Sequence, residues 1–228
     1  SVIEFPGRAM FQIISPLVAK ALNENDDMRL LSLLKKSANN LLISSGLLFL
    51  LINLNLNDFY NWVNLTGYTK ALDVVFIISF GKLFSMSMGC LNNIITNSKY
   101  YHYVFWLSTA SAVLAVLLNI YFIQLYGIIG AAYATLIVIV LINLMKILLV
   151  QLTFKINPFG KKTILILLAI FGVYLIFSYI NFDFSPFISL LLRSLLIGMV
   201  FTLISYLLKL TGDFQDFLSN FLIFKKKS

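Results

Sequence analysis

Long apolar stretches constrain this chain more than any other feature, and the run from Tyr103 to Leu152 contains a single charged residue, Lys146. A helix of about 20 apolar residues spans the hydrocarbon core of a bilayer. Only 11% of the 228 residues are charged, against about 25% in soluble domains. The sequence therefore predicts an all-α fold, a polytopic integral membrane helical bundle.

Polar residues, glycine and proline divide the chain into seven predicted spans. They cover about residues 1–22, 37–54, 71–96, 103–125, 128–152, 163–180 and 187–208. The first span looks truncated at its start, so we expect this chain to be the C-terminal part of a longer protein. Residues 53–69 are predicted as an external segment. Residues 213–224 carry phenylalanine and leucine on one face, which predicts an amphipathic helix on anionic lipid.

Lysine and arginine are distributed very unequally between the predicted loops. Thirteen of the 17 lie in loops on one side, Lys70 alone lies on the other, and Arg8, Lys82 and Arg193 fall within spans. Cytoplasmic loops carry an excess of basic residues. The C-terminus is therefore predicted to be cytoplasmic, and the net charge of +8 indicates contact with anionic lipid and not with nucleic acid.

Residues 126–135, YGIIGAAYAT, place small side chains inside an apolar stretch. Gly127 with Ala131 and Gly130 with Ala134 are spaced four residues apart, as in helices that pack closely in lipid. This pattern predicts a tight helical hairpin with close packing, or a face that slides against a neighbour during transport. Asn119 is expected to hydrogen-bond between helices.

The longer segment LLNIYFIQLYGIIGAAYAT (residues 117–135) resembles a recurring segment of bacterial polysaccharide flippases. In that segment an asparagine precedes a Tyr-Gly turn and a Gly-Ala-Ala-x-Ala-Thr helix start. Residues 5–42 resemble the helix ending in Pro-x-x-Ala and the charged loop in the second half of these proteins, and SKYYHYVFW (residues 98–106) resembles their next turn. The family is the polysaccharide biosynthesis, or O-antigen flippase, branch of the multidrug/oligosaccharidyl-lipid/polysaccharide (MOP) exporter superfamily.

This resemblance implies a MATE-like C-terminal lobe in residues 1–158, two additional transmembrane helices in residues 159–210 and a cytoplasmic tail in residues 211–228. The N-terminal lobe would lie outside this chain. The implied function is translocation of a lipid-linked oligosaccharide, a repeat unit of O-antigen, capsule or exopolysaccharide, across the bacterial inner membrane by alternating access. Implied partners are this substrate, membrane lipids, and the polysaccharide polymerase and chain-length machinery. No cofactor is implied.

Lys82 is predicted to lie near the middle of the bilayer, in the span over residues 71–96. Ser79 and Asn93 share its face of the helix, together with Met86 and Gly89. Ionisable groups at this depth usually face a cavity or pair with each other. The stripe predicts a water-filled substrate cavity; alternatively, Lys82 pairs with a carboxylate of the absent lobe or is neutral.

A second polar stripe, Glu4, Arg8, Gln12 and Ser15, follows the first span. Glu4 and Arg8 have the spacing of an intrahelical ion pair, and Pro6 can loosen the helix there. Arg8 offers a planar fork suited to phosphate and is predicted to line the substrate cavity with Gln12. Alternatively, Glu4 only neutralises Arg8, or acts in coupling.

The remaining polar residues give weak signals for other functions. Arg193 is expected to extend toward the headgroups. Cys90 and His102 are the only cysteine and histidine, so we expect no metal site and no enzyme. The alternatives to a flippase are a drug or ion antiporter of the same superfamily, a membrane assembly subunit without transport activity, and a membrane-embedded glycosyltransferase, for which Asp58 is the only external acid in support.

Overall fold

The computed structural model describes residues 2–64, 69–180, 182, 184–208 and 210, and all regular secondary structure in these ranges is helical. A short 3-10 turn, Val2–Glu4, leads into the first helix. The predicted amphipathic helix and the tail over residues 211–228 lie outside the described residues. The helices are α1 (Phe5–Asn23), α2 (Asp27–Trp62), α3 (Thr69–Met86), α4 (Leu91–Asn97), α5 (His102–Tyr126), α6 (Ile128–Phe154), α7 (Lys161–Tyr179) and α8 (Pro186–Leu207).

Within these described helices, α2 and α5 to α8 are each long and apolar enough to cross a bilayer. The pair α3 and α4 qualifies as one further span that is broken in the middle. The remaining helix, α1, is not apolar enough by the same measure, because polar side chains such as Arg8 and Gln12 interrupt it. The predicted helical bundle with several membrane-spanning helices is thus present, with five or six candidate spans where seven were predicted.

Helix α2 is the central element and is longer than predicted. Asp26 caps its start, since the Asp26 carboxylate accepts a hydrogen bond from the Arg29 amide at 2.9 Å. No glycine or proline lies between Gly46 and Gly67, so the helix continues through Asn53 and the following polar residues to Trp62. The segment predicted to be external, residues 53–69, is thus helical as far as Trp62. At 36 residues and about 1.5 Å per residue, α2 extends beyond a hydrocarbon core of about 30 Å.

The predicted continuous span over residues 71–96 is broken, and α3 and α4 meet at a bend of 54°. Gly89 in the connection has φ +59°, which disfavours residues with a Cβ. A Cβ at Gly89 would also lie 2.5 Å from the Ala38 amide nitrogen on α2. The Ser37 hydroxyl on α2 accepts a hydrogen bond from the Cys90 amide at 2.9 Å. The break thus depends on close contact with α2, which satisfies one of the amides that leave the helix.

Helices α5 and α6 form the predicted tight hairpin. Gly127 alone separates them, with φ +60°. A Cβ at Gly130 would overlap the Phe122 carbonyl oxygen on α5, so this glycine permits close approach of the two backbones. Ala134 is buried, whereas Ala131 is half-buried. Asn119 does not bond to another helix; it donates to the Ala115 carbonyl of its own helix at 2.8 Å.

The buried side chains form two hydrophobic clusters that share α2. The first joins the N-terminal half of α2 to α1, α4 and α6, and includes Ile14, Leu34 and Ile94. The second joins the C-terminal half of α2 to α3, α7 and α8, and includes Leu50 and Phe201. Because both clusters contain α2, this helix holds the candidate site described below in position between them.

Candidate functional site

Contacts along α2 fix the depth of Lys82 in the bundle. The Ser79 hydroxyl on α3 pairs with the Asn53 carboxamide, and Cys90 pairs with Ser37 further along the same helix. Lys82 lies between Ser79 and Cys90 in the chain, so its level is between Asn53 and Ser37. The depth of Lys82 in a bilayer stays a prediction.

Lys82 forms an ion pair with Glu4, which precedes α1. The Lys82 Nζ donates to Glu4 Oε1 at 2.8 Å. The two side chains are 27% and 25% exposed, so the pair is only partly enclosed by the described residues. Gly7 allows α1 to approach α3 here, since a Cβ at Gly7 would lie 2.9 Å from Met86 Sδ. The carboxylate partner of Lys82 is thus supplied by this chain, and the alternative of a partner in an absent lobe is not required.

Arg8 and Gln12 lie one and two turns after Glu4 on α1, and both are exposed. Glu4 pairs with Lys82 and not with Arg8 as the i, i+4 spacing predicted. Among the described residues the Arg8 guanidinium has no acceptor within hydrogen-bond or ion-pair distance. Arg8 therefore presents an uncommitted cation beside the Lys82–Glu4 pair.

Ser79 and Asn93 do not share one open stripe with Lys82. Ser79 is 3% exposed and its hydroxyl is occupied by Asn53, so it joins α3 to α2. Asn93 lies beyond the bend, on α4, where its Nδ2 donates to the Phe11 carbonyl of α1 at 3.2 Å. Nearby, Asn97 donates to the Ser15 hydroxyl at 3.1 Å. The polar residues of α4 therefore fasten α4 to α1, and the predicted stripe divides at the bend.

Lys146, which was counted among the thirteen loop cations, lies inside α6. Its Nζ donates to Asn92 Oδ1 on α4 at 3.0 Å. Asn92 itself is exposed. Lys146 thus adds a cation on the side of the bundle where α4 and α6 meet, beyond the bend from Lys82.

Arg193 is buried, and the expectation that it extends toward the headgroups is wrong. Its guanidinium donates to the Leu54 carbonyl at 2.8 Å and to the Ile180 carbonyl at 2.9 Å, and its Nη1 lies 2.9 Å from Asp58 Oδ2. These acceptors come from α2 and from the end of α7, whereas Arg193 belongs to α8. The arginine therefore ties three helices together, and its donors are not directed at a substrate.

Neither charge pair has a direct signal in the sequence, because the partners are far apart in the chain. The one usable indication of the Arg193 site was the continuation of α2 through residue 58. A continuous helix places Asp58 one turn after Leu54, on the same face. The absence of glycine and proline after Gly46 supports that continuation, whereas the asparagines suggested its end.

The site therefore combines a partly accessible Lys82–Glu4 pair, the exposed Arg8 and Gln12, and a helix break within one span. A competing anion can take the place of Glu4 against Lys82, while Arg8 supplies a second, bidentate donor set. Among the described residues, no group of three or more His, Cys, Asp or Glu side chains is placed to hold a metal ion.

Comparison with models of protein families gave no match, and no significant match was found among curated proteins or among solved structures. The resemblance to polysaccharide flippases therefore depends on the quoted segments alone and enters below as part of a proposal.

Proposed function

We propose that this chain belongs to a membrane transporter that moves an anionic lipid-linked oligosaccharide between leaflets, as a flippase. The observation that carries the proposal is the 2.8 Å ion pair between Lys82 and Glu4 inside a broken candidate span. The oligosaccharide class comes from the sequence resemblance, and the charge of the substrate comes from the site.

Charge inside a membrane is costly, at about 2.5–3.5 kcal/mol for a central lysine on insertion scales. A purely structural pair in this position would be expected to be fully enclosed, as the Arg193–Asp58 pair nearly is. Lys82 and Glu4 instead keep about a quarter of each side chain exposed. A pair that is both deep and accessible is suited to exchange one anionic partner for another.

The break between α3 and α4 supports the same function. Discontinuous helices in transporters place irregular backbone where it lines a cavity, and binding sites lie near such breaks. Here the break follows Lys82 by about one turn and is held by Gly89 against α2. In the proposed cycle the phosphate of the substrate displaces Glu4 from Lys82, Arg8 binds the same group, and rocking of the lobes exposes the site to the other side.

Export by variants of the full-length protein in a flippase-deficient strain tests this proposal, with membrane abundance and accumulation of the lipid-linked precursor measured together. Lys82→Ala should reduce export at least tenfold and raise the precursor, because the cation that binds the substrate is lost. Lys82→Arg should retain part of the export, since the charge remains but its shape changes. The matched control Lys99→Ala removes a cation from the loop before α5 and should leave export unchanged.

Full export by Lys82→Ala at normal abundance would refute the role of this cation in transport. Loss of export without accumulation of the precursor would favour the membrane assembly subunit, since polymer assembly and not translocation would then have failed. Glu4→Gln separates the flippase from the assembly subunit further. It removes the carboxylate that pairs with Lys82, whereas Lys82 keeps its charge. The rate of export should therefore change while the protein remains inserted.

A further inference from the structure

A cavity at the lysine-rich end of the bundle is distinct from the Lys82 site. It has a volume of about 320 Å³ and lies between the first turns of α2 and the start of α7. Four lysines line it: Lys35 and Lys36 on α2, and Lys161 and Lys162 on α7. The described residues that line this cavity include no aspartate or glutamate.

The start of α7 adds further donors to the same cavity. Helix geometry leaves the first amides of α7 without an acceptor inside the helix, and these amides favour anions. Thr163 is committed, since its hydroxyl accepts from the Gly160 amide at 3.1 Å and donates to Asn39 Oδ1 at 3.0 Å. Asn39 is only 5% exposed and lines the cavity. The cavity thus combines lysine side chains with the first amides of α7, and both favour an anion.

Thr163 also lines a second cavity, of about 350 Å³. Its walls are almost entirely apolar and come from α2, α3 and α7, including Leu42, Phe84 and Leu167. A lysine-lined cavity and an apolar cavity that share a lining residue match a molecule with an anionic head and a hydrocarbon chain. Since α7 is a candidate membrane span, its first residues lie at the level of the lipid headgroups.

We propose that these two cavities bind one anionic phospholipid, whose phosphate lies among the four lysines and the start of α7, and whose acyl chain enters the apolar cavity. The bound phosphate lowers the repulsion between lysines that face one another, and the lipid joins α7 to α2 and α3 through contacts that the protein alone lacks. The site does not depend on the proposed transport function, because it contains neither Lys82 nor Arg8.

Lipid adducts on the full chain, purified in detergent and measured by native mass spectrometry, test this assignment. Phosphatidylglycerol should bind at least tenfold more tightly than phosphatidylcholine. Lys35→Gln with Lys161→Gln should weaken phosphatidylglycerol binding roughly tenfold or more, as two lysines close to an anionic headgroup would. The matched control Lys99→Gln with Lys155→Gln removes the same charge from the same end of the bundle, outside the cavity, and should have no effect.

A second variant tests the acyl-chain half of the site. Leu167→Trp fills the apolar cavity and should weaken phosphatidylglycerol binding while leaving the binding of inorganic phosphate unchanged. Equal retention of the two lipids, or an equal loss in the control pair, would overturn the proposal. Inorganic phosphate that competes as well as the lipid, together with no effect of Leu167→Trp, would show a soluble-phosphate site and would also overturn it.

Discussion

Two ion pairs inside this bundle differ in how far they are enclosed, and the difference separates a structural role from a functional one. The Arg193 side chain is 9% exposed and Asp58 18%, whereas Lys82 and Glu4 are 27% and 25% exposed. Arg193 also donates to the backbone carbonyls of Leu54 and Ile180. Arg193 is therefore expected to determine stability, and Lys82 activity.

Replacement of Arg193 tests the structural role. Arg193→Met should lower the free energy of unfolding by about 3 kcal/mol or more, because it leaves Asp58 charged and unpaired in a buried position. Arg29→Met is the matched control, since Arg29 pairs with Glu24 near the surface and such pairs contribute about 1 kcal/mol or less. Thermal unfolding in detergent measures both.

The double variant Arg193→Met with Asp58→Leu removes both charges and should recover at least half of the loss, since apolar replacement of a buried pair is often tolerated. A double variant no more stable than Arg193→Met would show that the carbonyl contacts, and not the charge pair, account for the effect. An Arg193→Met protein as stable as the wild type would contradict the structural role altogether.

Individual residues were predictable from the sequence only where local spacing decides their contacts. The depth of Lys82 and the close approach at Gly130 follow from their positions within one apolar run. The partners of Lys82 and Arg193 do not, because Glu4 and Asp58 are brought near by the packing of different helices. The same limit explains why the Glu4–Arg8 pair was predicted, because Arg8 is the basic residue within reach of Glu4 along a single helix.

At the scale of the helices, the break between α3 and α4 is the element that the apolar pattern concealed. Residues 71–96 remain apolar throughout, so hydropathy alone predicts one continuous helix. The break depends on φ +59° at Gly89 and on contact with Ala38 and Ser37 of α2. Only the packing against α2 distinguishes this glycine from those that stay within helices.

Gly89→Ala is expected to destabilise the protein, because alanine at positive φ costs about 1 kcal/mol or more and its Cβ would meet the backbone of α2. Gly172→Ala on α7 is the matched control. Nothing lies within 4 Å of a Cβ at Gly172, and alanine is favoured over glycine by up to about 1 kcal/mol within a helix. The Tm in detergent should therefore fall for Gly89→Ala and stay equal or rise for Gly172→Ala; a fall of equal size in both would show that the bend places no special demand on Gly89.

At the scale of the whole molecule, the sequence predicted the class of fold and the order of the helices well, because a lipid environment requires long apolar helices. It predicted the ends of helices less well, since α2 continues through asparagines that read as a loop. It also overestimated the number of spans, because α1 has the length of a span but not the hydropathy. The candidate site was predicted in its cations and not in its geometry, which depends on how α1, α3 and α4 pack together.

The alternation of the helices leads to the last prediction, which concerns the orientation of the bundle. The turns after α1, α4 and α6 meet at one end, where Tyr100 packs against Phe154 at 5.9 Å between ring centroids. The end of α2 and the start of α8 meet at the other, where Trp62 packs against Phe187 at 5.4 Å. Basic residues concentrate at the first end, which should therefore face the cytoplasm.

In intact cells, an impermeant thiol reagent should label Val63→Cys and not Lys99→Cys, and permeabilised cells should allow labelling of both. The native Cys90 is fully buried and should remain unlabelled in either condition, which provides the baseline. Labelling of Lys99→Cys and not of Val63→Cys in intact cells would reverse the assigned orientation, and it would place the four-lysine cavity at the outer surface.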